Sequence, residues 1–114
     1  MIRVLFVCLG NICRSPTAHG VFRDLVRKEG LEQRVQVDSC GTSAWHNGEG
    51  ADGNMVQAAR EQGIDLSDLV SRKLHQGDFD NFDVIVAMDG RNERDILAQQ
   101  PSACEAELLR FMDF

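Results

Sequence analysis

The chain has 114 residues, of which 43% are hydrophobic and 26% charged, with a net charge of −6. That is one domain's worth of polypeptide with an ordinary globular balance, which argues against a second catalytic domain and against disorder of the whole chain. The acidic balance disfavours a nucleic-acid or anionic-membrane binder, and no stretch approaches the ~20 apolar residues of a membrane span.

The predicted elements alternate between strand and helix. Residues 2–8 form a nearly continuous apolar and β-branched run, the pattern of a central parallel strand buried on both faces. Residues 9–14 form a turn. A helix follows, with Ser15 as N-cap, Pro16 at its first position and a stop at Gly30. Ala18, Val21, Phe22, Leu25 and Val26 make its apolar stripe.

Residues 35–40 alternate as a second strand, and the glycine-rich segment 41–53 is a loop. Met55, Ala58 and Ala59 mark a second helix that Gly63 ends. The stretch 66–83 is irregular, with a short helical turn near Gly77. A third strand spans 84–88, Asp89 caps a helix over 91–99, and 107–112 forms a fourth strand. The expected fold is a flavodoxin-like α/β three-layer sandwich. Its parallel sheet has the order 2-1-3-4, with helices on both faces, in a single domain over 1–114. The turn after the first strand then lies at the carboxyl end of the sheet, at the switch point where such folds bind ligands.

That turn carries the chemistry. In Cys8-Leu9-Gly10-Asn11-Ile12-Cys13-Arg14-Ser15, a cysteine is followed after five residues by an arginine and a hydroxyl, between a buried strand and a helix N-terminus. A loop of this length can wrap its backbone N–H groups around a tetrahedral oxyanion, and the helix dipole adds to the same point. Arg14 can grip two oxygens with its planar fork. The same field favours the thiolate of a cysteine placed there, so Cys8 is poised to attack a bound phosphoryl group and form a phosphocysteine. Ser15 can hydrogen-bond the sulfur, and Asn11 can hold the loop in shape. The bland reading is a buried Cys8 ending a strand and a solvated Arg14.

Four cysteines, Cys8, Cys13, Cys40 and Cys104, show no paired zinc-type spacing, and a chain with a real core needs no disulfide framework. Reduced thiols in a cytoplasmic protein are expected, with no metal and no cofactor. His19, His46 and His75 have no sequence partner that marks a metal or triad site.

The segment Val7-Cys8-Leu9-Gly10-Asn11-Ile12-Cys13-Arg14-Ser15-Pro16 resembles the signature of the low-molecular-weight protein-tyrosine phosphatases. Further likeness runs through Val37-Asp38-Ser39-Cys40-Gly41-Thr42-Ser43, Gly63-Ile64-Asp65-Leu66-Ser67 and Phe82-Asp83-Val84-Ile85-Val86-Ala87-Met88-Asp89. The resemblance implies hydrolysis of phosphotyrosine, or a small aryl phosphate, with Cys8 as nucleophile and Arg14 as transition-state binder. Leu9, Gly10, Asn11, Ile12, Cys13, Arg14 and Ser15 then form the phosphate-binding loop, which also takes inorganic phosphate or a similar oxyanion. Asn11, Ser15 and Ser39 support it. By the same resemblance Cys13 protects Cys8 through a reversible disulfide, and the loop with Trp45 and His46 walls the substrate cleft. Cys13 as a plain loop residue and Trp45 as a loop anchor stand as the alternatives.

The resemblance also implies a general acid in an Asp-Pro loop and a closing helix beyond the last strand. Neither Pro16 nor Pro101 follows an aspartate, and Asp113 aligns with the strand end, so no residue takes the acid role. The domain is therefore expected to be incomplete at its C-terminus, impaired in turnover, and prone to self-association through an uncovered sheet face. A thiol-based arsenate reductase relaying through Cys40 or Cys104, and a non-catalytic phosphate-binding module, are the competing readings.

Overall fold

The computed structural model describes residues 1–102 and 104–111. Strands β1 (Ile2–Cys8), β2 (Val35–Gly41), β3 (Val84–Ala87) and β4 (Glu107–Arg110) pair in parallel in the order β2-β1-β3-β4. Helices α1 (Arg14–Lys28), α2 (Gly53–Glu61), α3 (Asp78–Asn81) and α4 (Gly90–Gln99) complete the alternation.

The period-two pleat of β1 sends its side chains to two cores. Val4, Phe6 and Cys8 join Val86 and Met88 beneath Ala18 and Phe22 of α1. Leu5 and Val7 join Cys40, Ile85 and Ala87 beneath Phe79 of α3 and Ile96 of α4. Helices thus cover both faces, as expected. Leu5, Ile85 and Ile96 are at most 1% exposed, and each such side chain contributes roughly 1.5–3 kcal/mol on burial. The chain leaves β1 toward one face through α1 and leaves β3 toward the other through α4. The crevice between these exits opens at the carboxyl ends of β1 and β3.

Helix ends follow their sequence signals. Gly30 has φ 68°, its N–H bonds Arg27 O, and the Leu31 N–H bonds Val26 O, which is a Schellman stop. Asp89 caps α4 by accepting the Asn92 N–H at 2.8 Å.

Several boundaries differ from expectation. α1 begins at Arg14, not after a Ser15 cap, because the Ser15 hydroxyl turns toward β1 and β2. β2 runs one residue further, to Gly41, while β3 stops at Ala87 and β4 at Arg110. Met112 and Asp113 lie outside the described residues. Val21 and Leu25, assigned to the buried stripe of α1, are about half exposed at 48% and 51%. They line a groove of about 620 Å³ with Phe6, Phe22, Met88 and Phe111. No described helix is long and apolar enough to cross a membrane.

Candidate functional site

β1 delivers Cys8 to the floor of the crevice, 3% exposed. The chain must then reverse within a few residues to enter α1. Asn11 makes that reversal in the left-handed region, with φ 57°, where asparagine is tolerated better than most side chains. Its N–H comes back to donate to Cys8 Sγ at 3.2 Å.

The loop's carbonyls are held outward by their neighbours. Cys8 O accepts from Thr42 N at 2.9 Å, Leu9 O from Ser43 N at 2.9 Å, and Ile12 O from Asp52 N at 2.6 Å. Gly10 O accepts from Ser71 Oγ at 2.8 Å, and Cys13 O from Thr17 Oγ1 at 2.7 Å. Turning these carbonyls out turns amides in, and successive inward N–H groups at a helix N-terminus make an anion cradle. Gly41 permits this seating, since a Cβ there would stand 2.6 Å from Leu9 O.

Ser15 Oγ lies 3.0 Å from Cys8 Sγ, accepts from Asn11 Nδ2 at 2.8 Å and reaches Cys40 O at 3.3 Å. Its single proton serves either the sulfur or that carbonyl, and a thiolate would draw it to the sulfur. Ser39, expected to support the loop, turns its hydroxyl to α1 instead. Its hydroxyl meets His19 Nδ1 of α1 at 2.9 Å, and burial pulls that imidazole's pKa below its usual value.

Arg14 is not folded over Cys8. Its Nη1 donates to Asp89 Oδ2 at 2.7 Å, and the side chain is 51% exposed at the rim. The Asn92 amide and then Arg14 hold the Asp89 carboxyl below its usual range. Asp89 is therefore both the α4 cap and the tether of Arg14, a double role that capping logic alone missed.

Cys8, Leu9, Gly10, Ile12, Cys13 and Arg14 line a cleft of about 270 Å³ that Trp45 and His46 complete. Trp45 is 80% exposed, which excludes a buried anchor. His46 Nδ1 lies 2.7 Å from Glu49 Oε2, and its ring sits against Gly10. Cys13 is half-buried and its thiol is pushed up, first by burial and then by Asp52 and Cys8. The other cysteines are placed elsewhere. Cys40 is fully buried in the opposite core, and burial pushes its thiol far up. Cys104 packs against that same core. Neither faces Cys8, so the relay an arsenate reductase needs is not assembled.

The family model for low molecular weight phosphotyrosine protein phosphatase matches residues 3–114. The enzyme of that name from Schizosaccharomyces pombe is 48% identical over 114 residues, covering 99% of this chain and 72% of the relative. The crystal structure of YfkJ from Bacillus subtilis superposes with a TM-score of 0.94 at 40% identity, covering 99% of this chain and 71% of that one. A protein tyrosine phosphatase from Entamoeba histolytica, crystallised with Hepes in its active site, also gives 0.94, at 36% identity and with 100% and 72% covered.

Proposed function

Because the chain belongs to the low molecular weight phosphotyrosine protein phosphatase family, we propose that Cys8 is its nucleophile, Arg14 its transition-state clamp and phosphotyrosine its substrate class. The inward amides and Arg14 hold three phosphoryl oxygens. Cys8 Sγ attacks phosphorus in line, the P–S bond forms and the P–O bond to the aryl group breaks. Water then attacks the phosphocysteine, releasing inorganic phosphate while Ser15 Oγ steadies the departing thiolate. Trp45 offers its ring face to the phosphotyrosine ring at the rim.

The observation that carries this reading is the setting of Cys8 Sγ, 3.2 Å from the Asn11 amide and 3.0 Å from Ser15 Oγ within a loop whose carbonyls face outward. Acid quench during turnover of a labelled aryl phosphate should trap a phosphoenzyme on Cys8. Cys8→Ser should abolish it. Oxyanion binding without any trapped intermediate would favour a non-catalytic module.

The cleft lining contains no carboxylate among the described residues. Of the carboxylates beside it, Asp52 and Asp89 are engaged as caps of α2 and α4, and Glu49 is held at His46 Nδ1. A polypeptide of these residues is proposed to form phosphocysteine but to turn over poorly.

Cys13 is proposed as a redox partner, since it shares the cleft with Cys8 and both thiols are free. Peroxide oxidises the Cys8 thiolate to a sulfenic acid. The Cys13 thiol attacks that sulfur, water leaves and a disulfide forms. Peroxide inactivation should then be fully reversed by dithiothreitol, and in Cys13→Ser it should become largely irreversible. Equal recovery of both proteins would dismiss the role.

The groove beside α1 supports self-association of these residues, because Val21, Leu25 and Phe111 are all exposed there. Sedimentation equilibrium should show mass rising with concentration, whereas a constant monomer mass would count against it. Four free thiols fit a reducing compartment, so we propose a cytoplasmic location.

A further inference from the structure

The chemistry above uses the inner surface of the phosphate loop. Its outer surface is held by Ser71 and Arg72, and Arg72 is anchored by a buried carboxylate that no step uses. Asp78 is 1% exposed. It accepts from Arg72 Nη1 at 2.9 Å, from Arg72 Nη2 at 3.0 Å and from the His75 amide at 2.9 Å. Asp38 Oδ2 takes a further bond from Arg72 Nη2 at 3.1 Å. The guanidinium fork is thus clamped between two carboxylates.

Clamping the fork also fixes the backbone of Arg72. Its carbonyl accepts the Gly41 N–H at 2.8 Å, and its N–H donates to Asn11 Oδ1 at 3.1 Å. This last bond sets a direction. A carboxamide can flip, but an N–H aimed at one side requires the oxygen there. Asn11 Nδ2 must then face Ser15 Oγ, to which it donates at 2.8 Å. Ser15 therefore accepts from Asn11, and its own proton is left to Cys8 Sγ at 3.0 Å or Cys40 O at 3.3 Å, of which a thiolate is the stronger acceptor.

We propose that Arg72 and Asp78 are positioning residues for Cys8. The Arg72 backbone amide, held by the Arg72–Asp78–Asp38 cluster, orients the Asn11 carboxamide, which donates to Ser15 and leaves the hydroxyl proton for a Cys8 thiolate. An ion pair that only stabilised the fold would be replaceable by apolar packing. This one ends on the residue with a left-handed backbone and passes through it to the nucleophile. The inference rests on the reading of Cys8 as nucleophile.

The test is the alkylation rate of Cys8 by iodoacetamide just below neutral pH, followed by mass spectrometry of the Cys8 peptide. Thermal melting serves as a control for folding. Arg72→Lys keeps the charge but loses the fork, and should slow alkylation about tenfold, the effect of one directed hydrogen bond. In a Ser15→Ala background the same change should have little further effect, because the path already ends there. A folded Arg72→Lys that alkylates at the parent rate, or that slows it equally in both backgrounds, overturns the proposal. If Arg72→Lys does not fold, Asp38→Asn replaces it. That change loosens one bond at a carboxylate that is 42% exposed, and should slow alkylation by a smaller factor. No slowing there overturns the proposal as well. Alkylation needs no phosphate chemistry. A chain that shows this coupling but traps no phosphoenzyme retains the positioning path and loses the phosphatase mechanism.

Discussion

Across a series of aryl phosphates, the 114-residue polypeptide is expected to lose kcat/KM steeply as the leaving phenol becomes more basic. The reason is the lining of the cleft. Expelling a phenolate near the basicity of tyrosine, with a pKa of about 10, puts nearly a full charge on the departing oxygen unless a donor protonates it. Among the described residues, Asp52 accepts the amides of Asn54 and Met55, Asp89 accepts Asn92 and Arg14, and Glu49 is held at His46 Nδ1, so each of these carboxylates is engaged elsewhere. An activated nitrophenyl ester leaves without help and should react at a respectable rate. Phenyl phosphate and phosphotyrosine peptide should fall behind by about 10²–10⁴-fold, the usual worth of a positioned general acid. Breakdown of the phosphocysteine is common to every substrate, so burst amplitude should survive with activated esters and vanish with basic ones. The measurement is a plot of log kcat/KM against leaving-group pKa. A flat plot would overturn the expectation and redirect attention to His46, which lines the cleft with Glu49 at its Nδ1.

The central sheet and the loop were legible because their signals are local. The apolar run of β1, the turn over 9–14 and the helix that follows occupy one continuous stretch of chain. Asp89 and Gly30 were readable for the same reason, since a cap or a stop is recognised by its neighbours in sequence. What was not legible is contact between distant segments. Arg72 meets Asn11 across 61 residues, and Asp89 meets Arg14 across 75. An arginine in an irregular stretch and an aspartate before a helix have many local explanations, and only the folded sheet brings them to the loop. The stripe of α1 failed in the other direction. Periodicity identified Val21 and Leu25 as apolar, but it does not say whether any segment covers them, and among the described residues none does. Ser15 shows a third kind of failure. A serine before a proline at a helix start is a fair N-cap, yet the sulfur and carboxamide beside it bind its hydroxyl instead.

Arg14→Lys separates charge from shape at the rim. A lysine there keeps the positive charge and can still reach Asp89, so α4 stays capped and stability should change by only about 0.5 kcal/mol, as for other surface changes. The planar fork is lost, and with it the ability to hold two phosphoryl oxygens while one side of the guanidinium stays on Asp89. Removing a single preorganised oxyanion donor typically costs about 10²–10³-fold. The rate of phosphocysteine formation from an activated ester should fall by that factor, while alkylation of Cys8 in the absence of oxyanion changes little. The deficit should also be constant with pH. The Asn92 amide and Arg14 lower the Asp89 carboxyl. The tether's contribution is therefore complete above the ordinary carboxylate value of about 3.9 and is lost only as pH falls through the still lower native value. Between roughly pH 5 and 8 the tether is fully ionised, so a deficit that varies across that window would mean Asp89 is not what steers Arg14. A loss of less than about threefold would show that charge alone suffices at this rim, and that the inward amides, rather than Arg14, carry the transition state.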